Sequence, residues 1–425
     1  MKQLGLAVGC ALIVTTMSCD KRQDVQRITR TEFGKDGAVT VELDPVAITE
    51  PPRGWTIAAQ PSVVIGGDES RNEYQLSNPV DATRLSDGQI VIADRGSASL
   101  RWYDRDGRYL RDVGRLGEGP GEFQHLRWID RWGSDSVIAY DLSLRRVSVF
   151  GPGGELTWSA SAGELPLLQE FSPLQVLGDG LLLAMKWGSQ SAAATAGFRQ
   201  RERQLYVLDL AAGSVAPAPL RWVGAFYYQE FLPPRAPYLD IPVPFAPVME
   251  YGAGNGRMVA GETSSLDFQV YDAGGQPLWE LSVDHAARKA TSGEQSWARQ
   301  ALERRSSNPA IQRTVARALR EIDLAVDVPL FGRRAWERVP SPKPEFRSIL
   351  VDSDGNIWIL GYVANDQEQR PWMVLSDDGE WLGRVVLPAA LEPFEIGHDF
   401  VLGLTERTDG DTAVVLYEMV RSGKH

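Results

Sequence analysis

The chain consists largely of short apolar runs in which hydrophobic and polar positions alternate, separated by glycine-containing turns. One unit, NPVDATRLSDGQIVIADRGSASLRWYDRDGRYLRDVG, covers residues 78–114. A period of two is typical of strands with one buried face, and Asp-Gly pairs favour tight turns between antiparallel strands. The unit therefore predicts four consecutive antiparallel strands, with Asp94 ending the second strand and Tyr103 ending the third.

The same spacing recurs along the chain. In residues 127–160, Asp141 and Phe150 occupy the positions of Asp94 and Tyr103, and in residues 249–281 Glu262 and Tyr271 do so. Two further units, beginning near residues 174 and 346, fit when a longer hairpin is allowed in each. Repeated units of this kind indicate a repeat architecture, which takes precedence over counting domains by length.

Five four-stranded units leave strands over at both ends of the repeat region. The C-terminal segment supplies two strands, and residues 55–67 supply one. Pairing them would complete a sixth unit and remove exposed sheet edges, which promote aggregation. We therefore predict an all-β fold, a six-bladed β-propeller over residues 55–421 that is closed by its N- and C-terminal strands.

The blade pattern resembles a known repeat. In such a unit an inner strand is followed by a Ser-Asp-Gly turn and by a second strand that ends in Asp. A Tyr-Asp-x-x-Gly turn and the segment Gly-x-Gly-Pro-Gly-Glu-Phe come next. This order of motifs is similar to the NHL repeat. Over roughly residues 55–420 the chain resembles six-bladed bacterial propeller lipoproteins of uncharacterised function. The resemblance implies an architecture and an extracytoplasmic location. It implies almost nothing about activity.

The N-terminus predicts export. Lys2 precedes the apolar run LGLAVGCALIVTTMSC, which is too short for a membrane-spanning helix and has the form of a signal peptide over residues 1–18. Cys19 follows Ser18, as in the lipobox of bacterial lipoproteins, although Thr16 replaces the usual Leu. We predict a lipidated Cys19 and a tether over residues 19–54, on the periplasmic or cell-surface side of a membrane. The alternative is an ordinary secreted protein.

Two segments interrupt the repeats. Residues 224–247 are rich in proline and aromatic residues, which predicts a loop across an open face. Its aromatic side chains either pack the loop onto the ring or form a surface for a ligand or partner. They are Phe226, Tyr227, Tyr228, Phe231 and Tyr238.

The second interruption, at about residues 290–340 between blades four and five, has helical periodicity. Ser292 and Gln295 fit a capping box, and Asn308-Pro309 would separate two helices. The second predicted helix carries Arg313, Arg317 and Arg320. These arginines form either a solvated face or a surface that docks on an acidic partner or on lipid headgroups.

The composition limits the choice of partners. The net charge of −12 argues against nucleic acid, because phosphate binding requires a basic surface. The four histidines and two cysteines show none of the spacings of a Cys- or His-based metal motif. We therefore predict no cofactor. A calcium or zinc ion at the channel mouth is the alternative, with His125 and His398, each expected at the entrance of a blade, and Asp81 and Asp399 as its ligands.

Other acids and glycines are assigned structural roles. Asp81, Asp130, Glu250 and Asp399 are expected near inner strands, but not at equivalent positions of the repeat. Asp94 and Asp141 are expected to accept hydrogen bonds from turn amides.

The glycine-rich segment GRLGEGPGEF, residues 114–123, has no phosphate-loop spacing. We read it as the crossing from the outer edge of one blade to the centre of the ring, where it places His125 at the channel mouth.

The sequence contains no recognisable catalytic constellation. It therefore favours an extracytoplasmic, membrane-anchored module that binds a protein, peptide or carbohydrate, and an enzyme is disfavoured. The alternative is a metal-dependent propeller hydrolase or lyase, similar to lactonases, with its site at the channel mouth.

Overall fold

The computed structural model describes residues 25–34, 37–43, 55–67, 70–133, 135–178, 180–186, 197–199, 202–223, 227–230, 239–306, 342–362, 370–388, 390–406 and 412–421. The α-helices in these residues are α1 (Leu167–Glu170) and α2 (Ser292–Ser306), and no helix among them is long and apolar enough to cross a membrane. The strands outside the six blades are β1 (Val25–Gly34), β2 (Gly37–Leu43), β15 (Gly197–Arg199), β18 (Tyr227–Glu230) and β19 (Leu239–Pro242). The short strands β3 (Trp55–Ile57) and β4 (Val63–Ile65) precede blade one in the chain.

The remaining strands form the predicted six-bladed propeller, and each blade is an antiparallel sheet. Blade one contains β5 (Pro79–Arg84), β6 (Ile90–Asp94), β7 (Ser99–Tyr103) and β8 (Tyr109–Val113). Blade two contains β9 (Leu126–Trp132), β10 (Ser136–Asp141), β11 (Arg146–Phe150) and β12 (Leu156–Ser161). Blade three contains β13 (Phe171–Gly178), β14 (Leu181–Lys186), β16 (Glu202–Asp209) and β17 (Ser214–Val223).

Blade four contains β20 (Met249–Gly254), β21 (Arg257–Glu262), β22 (Asp267–Asp272) and β23 (Pro277–His285). Blade five contains β24 (Phe346–Val351), β25 (Ile357–Gly361), β26 (Arg370–Leu375) and β27 (Trp381–Leu387). Blade six contains β28 (Glu392–Ile396), β29 (Phe400–Glu406) and β30 (Thr412–Arg421), and its outer strand is supplied by β3 and β4, which both pair with β30.

The hydrophobic core lies between the blades. Each pair of neighbouring blades encloses its own cluster of buried side chains. Between blades six and one, for example, Ile65 and Leu402 pack with Ile90 and Tyr103. Both faces of a blade are therefore buried, which explains strands such as β6 in which every residue is buried.

An N-terminal hairpin extends blade four, in a region for which the sequence predicted only a tether. β1 pairs with β23 and β2 pairs with β1, so that the sheet has six strands. Ile28 is fully buried in the cluster between blades four and five. Arg30 donates a hydrogen bond to the Asp378 carbonyl at 3.2 Å. The prediction of a tether over residues 19–54 is therefore wrong for residues 25–34 and 37–43, which form an outer hairpin on blade four.

The two faces of the ring differ. The turn face carries the turns that join the first to the second strand and the third to the fourth strand of each blade. The insertion face carries the connections from one blade to the next and the turns between second and third strands. Helix α2 (Ser292–Ser306) follows β23 on the insertion face, as predicted between blades four and five. The small sheet of β15, β18 and β19 also arises from insertion-face connections.

The cap of α2 lies one residue earlier than the sequence predicted. The Thr291 hydroxyl accepts a hydrogen bond from the Glu294 amide at 3.2 Å, and the Glu294 carboxylate accepts one from the Thr291 amide at 2.7 Å. This is a reciprocal capping box, with Thr291 and Glu294 in place of Ser292 and Gln295. The helix is held against the ring by buried Phe245, which contacts it through Ala298.

The strand-end aspartates have the structural role expected of them. Fully buried Asp94 accepts hydrogen bonds from the amides of Ser77 and Asn78 and from the Ser97 hydroxyl, at 2.7–3.2 Å. Asp141 accepts hydrogen bonds at 2.7 Å from the amides of Gln124 and His125. Each carboxylate therefore ties the entry of a blade to the end of its second strand.

The glycine-rich crossing before blade two is an ordered turn. Gly114 has φ of +86° and Gly121 has φ of +76°, a left-handed conformation that glycine adopts without strain. The Glu122 carboxylate accepts hydrogen bonds from the Gly119 amide at 2.8 Å and from Arg115 at 2.7 Å. The amides of this segment are therefore directed into its own turn and do not form a phosphate cradle.

Candidate functional site

The candidate site is a cavity of about 630 Å³ in the central channel, lined by the inner strands of all six blades. It extends to the turn face, because Gly133, Gly180, Asn255 and Ser353, which follow inner strands, also line it. The lining is largely polar, in contrast to the apolar clusters between blades. The fold therefore provides a preformed concave site where the inner strands end.

The strand register arranges the channel side chains in layers. Thr83 pairs with Val91, and Asp130 pairs with Ile138. Val91 and Ile138 each lie three residues before the strand-end aspartate of their blade, so Thr83 and Asp130 are equivalent. By the same pairing, one layer around the channel is composed of Thr83, Asp130, Gln175, Gly252, Leu350 and Glu395.

A second layer lies two residues earlier in each inner strand, nearer to the insertion face. Asp81 pairs with Ala93, and Glu250 pairs with Gly261. Asp81 and Glu250 are therefore equivalent, which corrects the expectation that the inner-strand acids would occupy unrelated positions. A β-bulge at Val80 obscured this in the sequence, because it shifts the register of β5 by one residue.

Three carboxyl groups from the consecutive blades six, one and two meet at the cavity. Glu395 accepts hydrogen bonds from the Thr83 hydroxyl at 2.9 Å and from the Arg84 amide at 2.8 Å. Asp81 accepts hydrogen bonds from the Ala82 amide at 2.9 Å and from the Ile129 amide at 3.1 Å. These bonds across the blade boundaries hold the carboxyl groups in fixed positions along one side of the channel.

Burial raises the pKa of each of these groups. The pKa of Asp130 is raised to about 7, first by desolvation and second by the charge of Glu395, against the lowering effect of its hydrogen bond from the Arg131 amide. Desolvation also raises the pKa of Asp81 and of Glu395. Glu250, in the second layer, has its pKa raised to about 7 by desolvation. The channel therefore holds carboxyl groups that are partly protonated near neutral pH.

The cavity also contains neutral hydrogen-bond acceptors. The side-chain oxygen of Gln175 is buried and has no hydrogen-bond partner among the described residues. Gln175 lies in the same layer as Asp130 and Glu395. Blades two, three and six therefore each place a hydrogen-bond acceptor in the channel at this level. Arg131 is the basic side chain of the cavity lining, and its charge lowers the pKa of Asp130. A ligand that donates several hydrogen bonds would complement this lining.

The four residues expected to bind a metal ion are not brought together. His125 precedes β9, whereas His398 and Asp399 follow β28, and inner strands run in the same direction along the channel. The two histidines therefore lie at opposite faces, and the expectation that both stand at a blade entrance is wrong for His398. Across the described residues, no group of three or more His, Cys, Asp or Glu side chains is arranged to hold a metal ion.

These residues have separate partners instead. Asp399 contacts Arg84 at 3.1 Å, and His398 Nδ1 contacts Asp354 at 2.8 Å. Asp354 also accepts a hydrogen bond from Arg421 at 2.7 Å. His398 and its partners therefore form an ion-pair network at the turn face between blades five and six.

Several sequence-predicted residues fall where the structure gives no side-chain description. Cys19, Phe226, Phe231, Tyr238, Arg313, Arg317 and Arg320 lie outside the described residues. Tyr227 and Tyr228 lie in β18, where only the backbone is described. The binding surfaces predicted for these residues therefore stay predictions.

Sequence reasoning missed Thr83, Gln175 and Glu395. Each is a polar residue in an inner strand that lines the channel cavity. The sequence signal for these residues is their distance along the chain from the residue that ends the second strand of the blade. That distance can be interpreted only when the β-bulges near the start of several inner strands are known.

Comparison with known proteins shows similarity of fold. No family model matches the chain, and no curated protein matches it. Among solved structures, a member of the DUF4221 family from Bacteroides vulgatus is 10% identical, with a TM-score of 0.47, over 87% of this chain and 100% of that chain. A candidate exported protein from Bacteroides fragilis is 10% identical, with a TM-score of 0.43, over 88% and 97% of the two chains.

A streptogramin B lyase is 10% identical, with a TM-score of 0.35, over 87% of this chain and 100% of that chain. At this level of identity, the similarities concern the propeller fold alone.

Proposed function

We propose that this protein is an exported, membrane-anchored binding module whose channel takes a polar ligand rich in hydrogen-bond donors, such as an amine-bearing peptide or a carbohydrate. The observation that carries the proposal is the 630 Å³ cavity with acceptors from neighbouring blades along its wall. A rigid ring that presents fixed side chains from six blades suits recognition, because little ordering accompanies binding.

The chemistry of the lining supports this ligand class. Ionised carboxylates accept hydrogen bonds and attract cations, whereas protonated carboxyls also donate to hydroxyl oxygens. Asp130, with its pKa raised to about 7, is present in both forms near neutral pH. Unpartnered Gln175 Oε1 adds a neutral acceptor among the residues that the structure describes. An ammonium group would lower the pKa of Asp130 on binding, since an opposite charge favours the ionised form.

The proposed location rests on the sequence of the N-terminus. The apolar run that ends at Cys19 has the form of a lipoprotein signal peptide, and multiple acyl chains on that cysteine would give stable membrane attachment. Mass spectrometry of the purified protein tests this directly. Diacylglyceryl mass on an N-terminal Cys19 supports the anchor, whereas an unmodified N-terminus elsewhere refutes it.

The binding proposal is tested by calorimetry with matched ligands. A short peptide with a free amine, the same peptide acetylated, and a neutral oligosaccharide are titrated into the protein. Asp130→Asn and Gln175→Ala are the site variants, and Asp106→Asn, on the exposed turn of blade one, is the control. Losing a hydrogen bond to a charged group costs about 1.5–3 kcal/mol, so we expect affinity for the amine peptide to fall at least roughly tenfold in Asp130→Asn.

The pH dependence of binding provides a second readout. A cation binds the ionised carboxyl, so affinity for the amine peptide should fall as the pH drops through about 7, the pKa of Asp130. Affinities that are unchanged by Asp130→Asn, Gln175→Ala and pH would refute the channel as the binding site.

A second candidate function is acid–base catalysis by a hydrolase or lyase at the same site. The observation that favours it is the pKa of Asp130, which is raised to about 7 by burial and by Glu395. Such a value suits a general acid or base at neutral pH. The metal-dependent form is less favoured, because the predicted ligands have separate partners. Turnover of lactones, glycans or peptides that is lost in Asp130→Asn and retained in Asp106→Asn would establish this alternative.

A further inference from the structure

We propose that the insertion face of the ring lies against the membrane and that the turn face, with the mouth of the cavity, points away from it. The inference rests on the proposed function in one respect, the lipid anchor at Cys19. It specifies how the anchored protein presents its channel, which neither the anchor nor the fold specifies alone.

The topology places the start of β1 at the insertion face. β23 runs from the turn face towards the insertion face, and its last residue, His285, leads into the connection that carries α2. β1 is antiparallel to β23, with Val25 opposite His285 and Glu32 opposite Trp279. The chain therefore enters the propeller at the outer edge of blade four, at the level of the insertion face.

The short distance along the chain from Cys19 to Val25 limits the orientation. Six residue steps separate the two residues, which fully extended span about 20 Å. From Val25 to Glu32 the blade rises by seven residue steps, or about 23 Å, towards the turn face. A tether of about 20 Å that starts at Val25 is shorter than the distance of about 23 Å along the outer edge to the turn face, so it cannot hold the turn face on a bilayer. It does allow contact through the insertion face.

The charge of the turn face supports the same orientation. Each blade has at least one acidic residue in its turns on this face or at the strand ends beside them: Asp106, Asp135, Asp209, Asp272, Asp378 and Asp399. Arg105 and Arg108 are also exposed on this face, in blade one. Asp106 and Asp378 belong to Asp-Gly turns of the kind that joins antiparallel strands. Membranes with anionic lipids repel such a surface within a Debye length. The exposed side chains of the insertion face have mixed charge and include Arg127, Lys289 and Arg347.

The functional consequence concerns access to the cavity. Its mouth lies on the turn face, among Gly133, Gly180, Asn255 and Ser353. With the insertion face on the membrane, the mouth is open to the aqueous compartment. The ligand would then arrive from solution through this mouth.

The test uses the cysteine content of the chain. Cys10 lies in the predicted signal peptide and Cys19 would be acylated, so the processed protein would have no other thiol. Single cysteines replace exposed Ala287 on the insertion face, Asp106 on the turn face, and Val39, which is 60% exposed on the outer hairpin. Each is labelled with a donor dye, and the lipidated protein is bound to phosphatidylcholine and phosphatidylglycerol vesicles that contain acceptor-labelled headgroups.

We expect the strongest energy transfer from Ala287→Cys and the weakest from Asp106→Cys. The strand length sets a height difference of about 20 Å between the faces, so the transfer efficiency should differ at least roughly twofold. Strongest transfer from Val39→Cys means that the ring stands on its rim, and strongest transfer from Asp106→Cys means that the mouth faces the lipid. Either result overturns the inference while leaving the anchor intact.

Flotation of the vesicles separates the two proposals. Wild-type protein should float with the vesicles, and Cys19→Ala should remain in solution. Wild-type protein that does not float refutes the anchor, and the orientation with it. Floating protein with equal transfer from all three positions retains the anchor and refutes the fixed orientation.

Discussion

The electrostatics of the channel make a direct prediction for Asp130→Asn. Asparagine keeps the shape of the side chain and an oxygen that accepts the hydrogen bond from the Arg131 amide, now at 2.7 Å. It removes a carboxyl group whose pKa is raised to about 7. Glu250 also has a pKa raised to about 7 by burial, so only the part of a pH effect that disappears in Asp130→Asn reports ionisation of Asp130.

The magnitude follows from the raised pKa. Burial and the charge of Glu395 raise the pKa of Asp130 from 3.8 to about 7. A tenfold change in an acid dissociation constant corresponds to about 1.4 kcal/mol, so ionising Asp130 costs the folded protein about 4 kcal/mol, an upper limit because the channel is open to water at one end. Well below pH 4 the group is protonated in both states and this cost is absent. As pH rises from about 4 to about 7, the unfolded state releases its proton first, and the folded state loses stability relative to it.

We therefore expect Asp130→Asn to match wild type near pH 4 and to be more stable by several kcal/mol near pH 8. Urea unfolding followed by circular dichroism at pH 4, 6 and 8 measures the difference. Asp106→Asn is the control, because its side chain is 59% exposed and it should show no such trend. A free-energy difference between Asp130→Asn and wild type that does not change with pH would refute the reasoning.

Three further substitutions test the structural framework by denaturant unfolding. Asp94→Ala leaves the Asn78 amide and other donors buried without an acceptor and should cost roughly 3 kcal/mol or more, whereas Asp106→Ala should cost less than about 0.5. Ile28→Ala removes a fully buried side chain and should lower the free energy of unfolding by about 2–5 kcal/mol. Val39→Ala, on the exposed side of the hairpin, is its control. An equal loss of stability in the two variants would contradict the packing of β1. Gly114→Ala places a Cβ within 2.5 Å of a buried Phe123 carbon at positive φ, so a variant as stable as wild type would contradict this turn geometry.

Much of the architecture could be predicted from the sequence because local signals agree. The alternation in residues 78–114, the Asp-Gly turns and the constant offset from Asp94 to Tyr103 each require antiparallel strands of fixed length. Repetition of the offset in further units then implies a ring. The role of Asp94 and Asp141 also followed from sequence, since an acid at a strand end has turn amides within reach.

The layers in the channel could not be predicted in this way. A bulge at Val80 moves Asp81 by one residue in the alternation, so its equivalence to Glu250 is visible only in the pairing with β6 and β21. The sequence predicts His398 at the entrance of a blade, before an inner strand. The structure places that strand earlier, at β28, and this moves the histidine to the opposite face.

The repeat, the six blades and the position of a helical insertion could be read from the amino-acid sequence, since the signals for them lie within tens of residues. Closure of the ring followed from the strands left over at the two ends of the repeat region. Three features required the folded ring: residues 25–43 extend blade four, Glu395 and Thr83 meet across a blade boundary, and burial raises the pKa of Asp130. The physical reason is distance along the chain. Thr83 and Glu395 are 312 residues apart, and the pKa of Asp130 depends on solvent exclusion by all the blades together, which no local pattern records.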